Sequence, residues 1–187
     1  MEDRRIRKTK KALYGALIEL LKEKEIRNIS IQELCDLADT HRSTFYYHYQ
    51  DIYALYEEME GKILEEFSAM VSKSVTHDYT RVYADVIGHV SENREVWSLL
   101  FSGHGSPNFR DKVSAILEEK YLDIWRYEEG RDTFPDEFYL LARANIAGFI
   151  ALFVGWISDY QSLPAEKFER LLRLVDESHD ELMEKCL

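Results

Sequence analysis

From Ile6 onward the apolar positions Leu13, Ala16, Leu17, Leu20 and Leu21 fall at the spacing of one face of a 3.6-residue helix, which predicts a first helix to about Lys24. The stretch Ile26 to Ile29 breaks that pattern. Ser30-Ile31-Gln32-Glu33 then precedes Leu34, Leu37 and Ala38, a capping box in which the Ser30 hydroxyl takes the Glu33 N–H while Glu33 reaches back to the N–H of Ser30. A short second helix, Ile31 to Ala38, follows from it. After the polar residues Asp39-Thr40-His41, Phe45 and Tyr49 stand one turn apart and predict a third short helix, Arg42 to Tyr49, packed through those two rings. Asp51 is a good N-cap for a long fourth helix, whose apolar residues Ile52, Leu55, Tyr56, Met59, Ile63, Phe67, Met70 and Val71 step by three or four. Further helices are predicted from about Tyr79 to Ser91, Arg94 to Phe101, Ser106-Pro107 to Tyr127, Phe134-Pro135-Asp136 to Ile157, and Ser162-Leu163-Pro164 to Lys185. No convincing strand or repeat interrupts them, so the fold class is all-α.

Composition agrees with this picture. Three prolines and eight glycines in 187 residues are too few for a sandwich or barrel with many tight turns. The most apolar stretch, Ile146 to Ile157, is short of the roughly 20 residues a bilayer span needs, and it is expected to be a buried helix without membrane contact. Two cysteines, Cys35 and Cys186, without a framework spacing, and no charged-then-apolar leader, point to a reduced, cytoplasmic protein. The net charge of -11 argues against a general nucleic-acid binder, but its distribution does not. Residues 1–50 hold 10 Lys and Arg against 8 Asp and Glu, so the acidic surplus lies entirely in the remainder. Arg4, Arg5, Arg7, Lys8, Lys10 and Lys11 crowd the start. Charge alone leaves two readings of that run, a solvated helix end or an arm lying on phosphates.

The third helix favours the arm. The second helix, polar turn and third helix form a helix-turn-helix, whose second helix can enter the major groove. With Phe45 and Tyr49 facing the core, Ser43 and Tyr47 point away and Thr44, Tyr46 and His48 flank them. Hydroxyls and imidazoles donate to phosphates, and Arg42 has the planar fork that fits O6 and N7 of guanine. The run Thr44-Phe45-Tyr46-Tyr47-His48-Tyr49, with Ala38 six positions earlier and Asp51 opening the next helix, resembles the recognition segment of the TetR (tetracycline-repressor) family of bacterial transcription regulators, whose pattern is close to T-F-Y-x-H-F. The resemblance covers about Thr9 to Leu55. It implies a homodimeric repressor with an all-helical sensing domain, in which Thr44, Tyr46 and His48 match backbone-contacting positions and Gln32, Arg42, Ser43 and Tyr47 match positions that can reach bases. Lys8, Lys10, Lys11 and Ser30 complete the expected DNA-binding set. Leu99-Leu100-Phe101-Ser102-Gly103 and Phe153-Val154-Gly155-Trp156-Ile157 resemble, more loosely, the C-terminal domain of a subgroup common in Gram-positive bacteria. Departures from the pattern are Asp39 where the family has Gly, His41 where it has a Ser cap, and Ile52 where many members have Lys.

On this reading residues 1–51 are a helix-turn-helix DNA-binding domain and 52–187 a helical effector-binding and dimerisation domain. Among the 24 aromatic residues, Tyr83, Trp97, Phe101, Tyr121, Trp125 and Tyr139 are candidates to wall a ligand pocket, the alternative being ordinary core. Ala144, Gly148, Ala151 and Gly155 step by four, three and four, with Leu152 and Trp156 beside them. With Phe168, Leu172 and Val175 of the last helix they are the expected homodimer interface, two helices per chain making a four-helix bundle, unless the stripe packs within one chain. No metal, cofactor or catalytic motif is expected: His77, His89, His104 and His179 have no ligand spacing, and no Gly-x-Ser-x-Gly or Walker sequence is present. The expected partners are a near-palindromic double-stranded DNA operator, a second copy of the chain, and a small-molecule or protein effector. The rival reading is a cytosolic helical adaptor acting through protein partners.

Overall fold

The computed structural model describes residues 4–78 and 81–185, with side chains omitted at 74–78 and 184; Tyr79 and Cys186 lie outside the described residues, as does the side chain of His77. The described residues form α1 (Arg4–Glu23), a single 3-10 turn at Ile26–Asn28, α2 (Ile31–Leu37), α3 (Arg42–His48), α4 (Ile52–Asp78), α5 (Val82–Glu92), α6 (Arg94–Phe101), α7 (Phe109–Glu129), α8 (Asp136–Ser158) and α9 (Ala165–Glu184), with no strand. The all-α expectation therefore holds. Helix starts follow local chemistry. Ser30 Oγ accepts the Glu33 N–H at 3.2 Å, and Asp51 Oδ1 accepts the Ala54 N–H at 2.9 Å. Only half of the expected capping box forms, because the Glu33 carboxylate takes Lys24 Nζ at 2.6 Å instead of turning back to Ser30. Ser106 and Pro107 do not open α7; Ser106 Oγ caps the Asn108 N–H at 3.2 Å and the helix starts at Phe109.

The chain packs as two compact units, Met1–Glu65 with Leu99–Asn108, and Glu66–Ser98 with Phe109–Leu187. The expected division after residue 51 falls at the start of α4, whereas the compact units divide within that helix. In the N-terminal unit, Leu13, Leu17 and Leu21 of α1 close with Leu34 of α2, Phe45 of α3 and Leu55 of α4, all fully buried. The loop after α6 belongs to this unit through specific bonds. His104 Nδ1 meets Leu21 O at 2.8 Å, the Ile26 N–H donates to His104 O at 2.9 Å, and the Ser106 N–H donates to Tyr56 Oη at 3.1 Å. Gly105 lies flat against the Tyr56 ring, where a Cβ would come within 2.0 Å of Cε2.

In the C-terminal unit α8 packs against α7 and α9, and α5 packs on α9. Helix α8 is long and apolar enough, by length and composition alone, to cross a bilayer, so the 12-residue expectation understates it. Its packing identifies it as a core helix: Phe138, Ala142, Asn145, Ile146, Phe149, Ile150, Trp156 and Ile157 are buried inside the unit. Aromatic stacking organises both of its ends. Phe134 and Phe138 stack at 4.2 Å beside Trp125, and Trp156 stacks on Phe168 at 4.5 Å while donating its Nε1–H to Leu163 O at 2.9 Å.

Candidate nucleic-acid interface

Helix α3 divides its residues by face. Phe45 and Tyr49 are 0% and 4% exposed, whereas Tyr46 and Tyr47 are 50% and 80% exposed. Arg42 and Ser43 are exposed, and Thr44 and His48 are half-buried at the flanks. The Arg42 guanidinium lies over the Tyr46 ring at 6.0 Å, and the residue is exposed. Gln32, one helix earlier, is exposed and donates Nε2–H to Asp36 Oδ1 at 2.7 Å; Ser30 is exposed and keeps its own O–H to donate outward. The turn that sets α3 against α2 is closed by the Thr40 N–H on Cys35 O at 3.0 Å. It requires a left-handed residue, and Asp39 supplies it at φ 48°. Cys35 is buried, and that burial pushes its thiol up, which suits a packing residue rather than a reactive one.

A side-chain network behind this surface holds α3 in place. Glu58 of α4 accepts from both ends of the unit: Lys10 Nζ at 3.0 Å on each oxygen, Lys62 Nζ at 3.0 Å, Tyr49 Oη at 3.3 Å, and the Tyr14 hydroxyl. Burial would raise the Glu58 carboxyl, but the donated bonds of Tyr14, Lys62 and Lys10 outweigh it and bring it down to about 2. Burial also pushes the Tyr49 phenol far up, so it stays a neutral donor. Lys10, expected on DNA phosphate, bonds Glu58, because the 3.6-residue period turns it toward α4 while Lys8 and Lys11 remain exposed. Glu58 itself was not among the candidate residues; its position among the other acidic residues of α4 carries no signal of its own, since its partners are 44 and 48 residues away.

No protein-family model and no curated protein matches the sequence. Among solved structures, a TetR transcriptional regulator from Streptococcus agalactiae 2603V is similar over 92% of this chain and 96% of its own, with TM-score 0.67 and 27% identity. A tetR-family transcriptional regulator from Streptomyces coelicolor is similar over 100% and 90%, with TM-score 0.66 and 17% identity. Thermus thermophilus FadR, a TetR-family transcriptional repressor in complex with lauroyl-CoA, is similar over 89% and 92%, with TM-score 0.56 and 16% identity. The chain has the TetR fold. These neighbours are transcriptional regulators.

Within that TetR fold the remaining expected sites sort unevenly. Tyr121, Trp125 and Tyr139 meet in one cluster with Phe134, Phe138, Ala142 and Met183. Tyr83 packs its ring on Phe149 at 5.5 Å. Trp97 is buried against Phe67, His89 and Phe109, and Phe101 belongs to the N-terminal unit. Of the expected interface residues, Trp156, Phe168 and Leu172 are buried within the protomer, because the Trp156–Phe168 stack closes the α8–α9 seam. Ala144 and Ala151 are exposed, and Gly148, Leu152, Gly155 and Val175 are half-buried. Leu171, Leu174 and Leu182, which the period of the last helix also places on its apolar face, are exposed, and so is Leu140 of α8, which the small-residue stripe did not include.

Proposed function

We propose that the protein is a cytoplasmic, sequence-specific DNA-binding transcription regulator of the TetR family, a homodimeric repressor released from its operator by an effector in the C-terminal unit. The observation that carries the reading is the divided face of α3: a seven-residue helix anchored by Phe45 and Tyr49 presents Arg42, Ser43, Tyr46 and Tyr47 together in solvent. Exposed tyrosines on a short rigid helix have no role in the core and suit a groove. Thr44, Tyr46 and His48 fix register on phosphates, Ser30 adds a donor, Arg42, Ser43, Tyr47 and Gln32 face base edges, and Arg4, Arg5, Arg7, Lys8 and Lys11 add sequence-independent attraction. The C-terminal sequence is read as that of the subgroup common in Gram-positive bacteria.

Selection from a random duplex library, followed by salt titration, tests this. A specific near-palindromic duplex whose affinity falls steeply with salt is expected; an adaptor shows little duplex affinity at any salt. Tyr46→Phe should weaken all duplexes alike, and Arg42→Ala should cost about 1–3 kcal/mol of discrimination at one base pair. Unchanged preference and affinity in Arg42→Ala would remove that residue from the readout.

One head spans too few base pairs for useful specificity, so the reading needs two copies. The exposed leucines and alanines of α8 and α9 supply the face: Leu140, Ala144 and Ala151 with Leu171 and Leu174. A Cβ at Gly148 meets nothing within 4 Å, so Gly148→Glu leaves the protomer intact and places a charge on that face. Sedimentation should show a monomer, with operator affinity reduced by a factor of about 100 or more. A monomeric wild type that binds a palindromic site tightly would overturn the dimer.

A further inference from the structure

Helix α2 carries Gln32 and Asp36 one turn apart on its solvent side, both exposed, with the Gln32 Nε2–H donating to Asp36 Oδ1 at 2.7 Å. A carboxylate only accepts, so the amide must turn its nitrogen toward Asp36 and its carbonyl away. The pair therefore ends in oxygens. The turn sets it beside the start of α3: the Thr40 N–H on Cys35 O at 3.0 Å and the Asp39 N–H on Asp36 O at 3.4 Å fold the chain back at the end of α2. Burial pushes the Cys35 thiol up, Arg42 draws it down and Asp36 adds to the rise, so both charges lie near one sulfur. In a helix-turn-helix the N-terminal residues of the second helix meet base edges, and polar groups exposed beside Arg42 are carried to the same edges.

We propose that Gln32 and Asp36 form an acceptor edge that selects, on the DNA strand it faces, a base with an exocyclic amine, cytosine or adenine, over the keto bases guanine and thymine. In the major groove the only donors are cytosine N4 and adenine N6, whereas guanine offers O6 and N7 and thymine O4. Every base pair has one such amine, so the strand that bears it is what the edge reads. Arg42, which only donates, has the opposite preference. A lone Gln32 would discriminate poorly, because its amide can turn over and donate to O4 or O6 as readily as it accepts from an amine. The bond to Asp36 removes that choice. Asp36 adds a rejection of its own: its charge is repelled by every phosphate, and at a keto base its oxygens meet another oxygen, while an amine donates to it. Asp36 is thus both the positioning residue of Gln32 and a determinant of the operator. This deepens the DNA-binding reading proposed above and rests on it.

The test measures full-length wild type, Asp36→Asn and Gln32→Ala on the selected duplex and on variants of it that have each of the four base pairs at every position of a half-site. Wild type should show one position at which cytosine and adenine on one strand bind about tenfold more tightly than guanine and thymine. Asp36→Asn, whose amide donates as well as accepts, should gain about tenfold on the keto duplexes and change far less on the amino ones, and Gln32→Ala should flatten that position and no other. A half-site without an amino-over-keto position, or an unchanged preference in both variants, would overturn the proposal. So would a rise by one factor on every duplex in Asp36→Asn, which makes Asp36 a bulk charge, or a uniform fall with reduced helicity by circular dichroism, which makes the pair ordinary i to i+4 helix support. All of these outcomes keep a wild type that binds a specific duplex, so the DNA reading survives them. A wild type that binds no duplex sinks both.

Discussion

Each unit of the molecule contains a polar network in its interior, and the two are built to opposite ends. In the N-terminal unit the Glu58 carboxylate is saturated by Lys10, Tyr14, Tyr49 and Lys62, drawn from α1, the end of α3 and α4. In the C-terminal unit Asp176, Tyr121 and Asn145 sit as deeply but keep orphaned atoms. A satisfied network fixes one geometry, which is what a recognition helix needs if its side chains are to meet fixed base edges. An unsatisfied network leaves the interior short of a partner, which is what a sensor needs if a ligand is to change its energy.

The largest effect should come from breaking the satisfied network. Glu58→Gln keeps the shape but removes the charge that Lys10 and Lys62 face, and should lower stability by about 1–3 kcal/mol, discounted because the side chain is 31% exposed. Acid titration supplies the sign. The folded-state pKa of Glu58 is depressed from 4.5 to about 2, so its contribution is fully present above the unfolded value and is lost as pH falls from about 4.5 toward 2. Chemical denaturation across that window should show a steeper loss in wild type than in Glu58→Gln. Parallel pH profiles would mean that Glu58 is a bystander. Operator affinity should fall in the variant as well, because Tyr49 anchors the end of α3.

The opposite change is expected in the C-terminal unit. Asn145→Leu removes an orphaned donor and replaces it with an apolar side chain of similar size, so stability should rise by about 1 kcal/mol. A destabilised Asn145→Leu would show that this amide is already satisfied, and the contrast between the networks would collapse.

These networks also mark where sequence stops being informative. Helices and caps were legible because their signals are local: a 3.6-residue period, Ser30 three residues before Glu33, Asp51 three before Ala54. Phe45 and Tyr49 as the buried face of α3 follow from the same period. The bond of Lys10 to Glu58 was not legible, because charge counting at the N-terminus says nothing of a carboxylate 48 residues later. The end of α6 and the loop after it, Leu99–Asn108, join the N-terminal unit, with His104 on Leu21 and Gly105 on Tyr56, contacts no window of the sequence contains. Helix α8 is apolar nearly all round, so periodicity does not say which side turns inward, and Trp156, expected at the dimer interface, stacks on Phe168 within the protomer.

The smallest effect tests how each unit builds a turn. After α7 the chain uses Gly130 at φ 64°, a position that costs glycine nothing, whereas between α2 and α3 it uses Asp39 at φ 48°. The left-handed region costs a typical L-residue about 1–2 kcal/mol, and Asp somewhat less because its short carboxylate can bond locally. Asp39→Gly removes that strain but gives the unfolded chain more freedom, worth about 0.4–1 kcal/mol the other way. The two nearly cancel, leaving a change within about 0.5 kcal/mol and an unchanged operator preference, since the turn geometry is the same. Gly130→Ala meets no atom within 4 Å, so its cost is backbone strain alone and should be about 1 kcal/mol. Asp39→Ala separates the components, because it keeps the strain and removes only the carboxylate. If Asp39→Ala is as stable as wild type, the carboxylate gives the turn nothing and the residue is tolerated there, while a loss near that of Gly130→Ala shows that Asp39 does in the recognition turn what glycine does elsewhere.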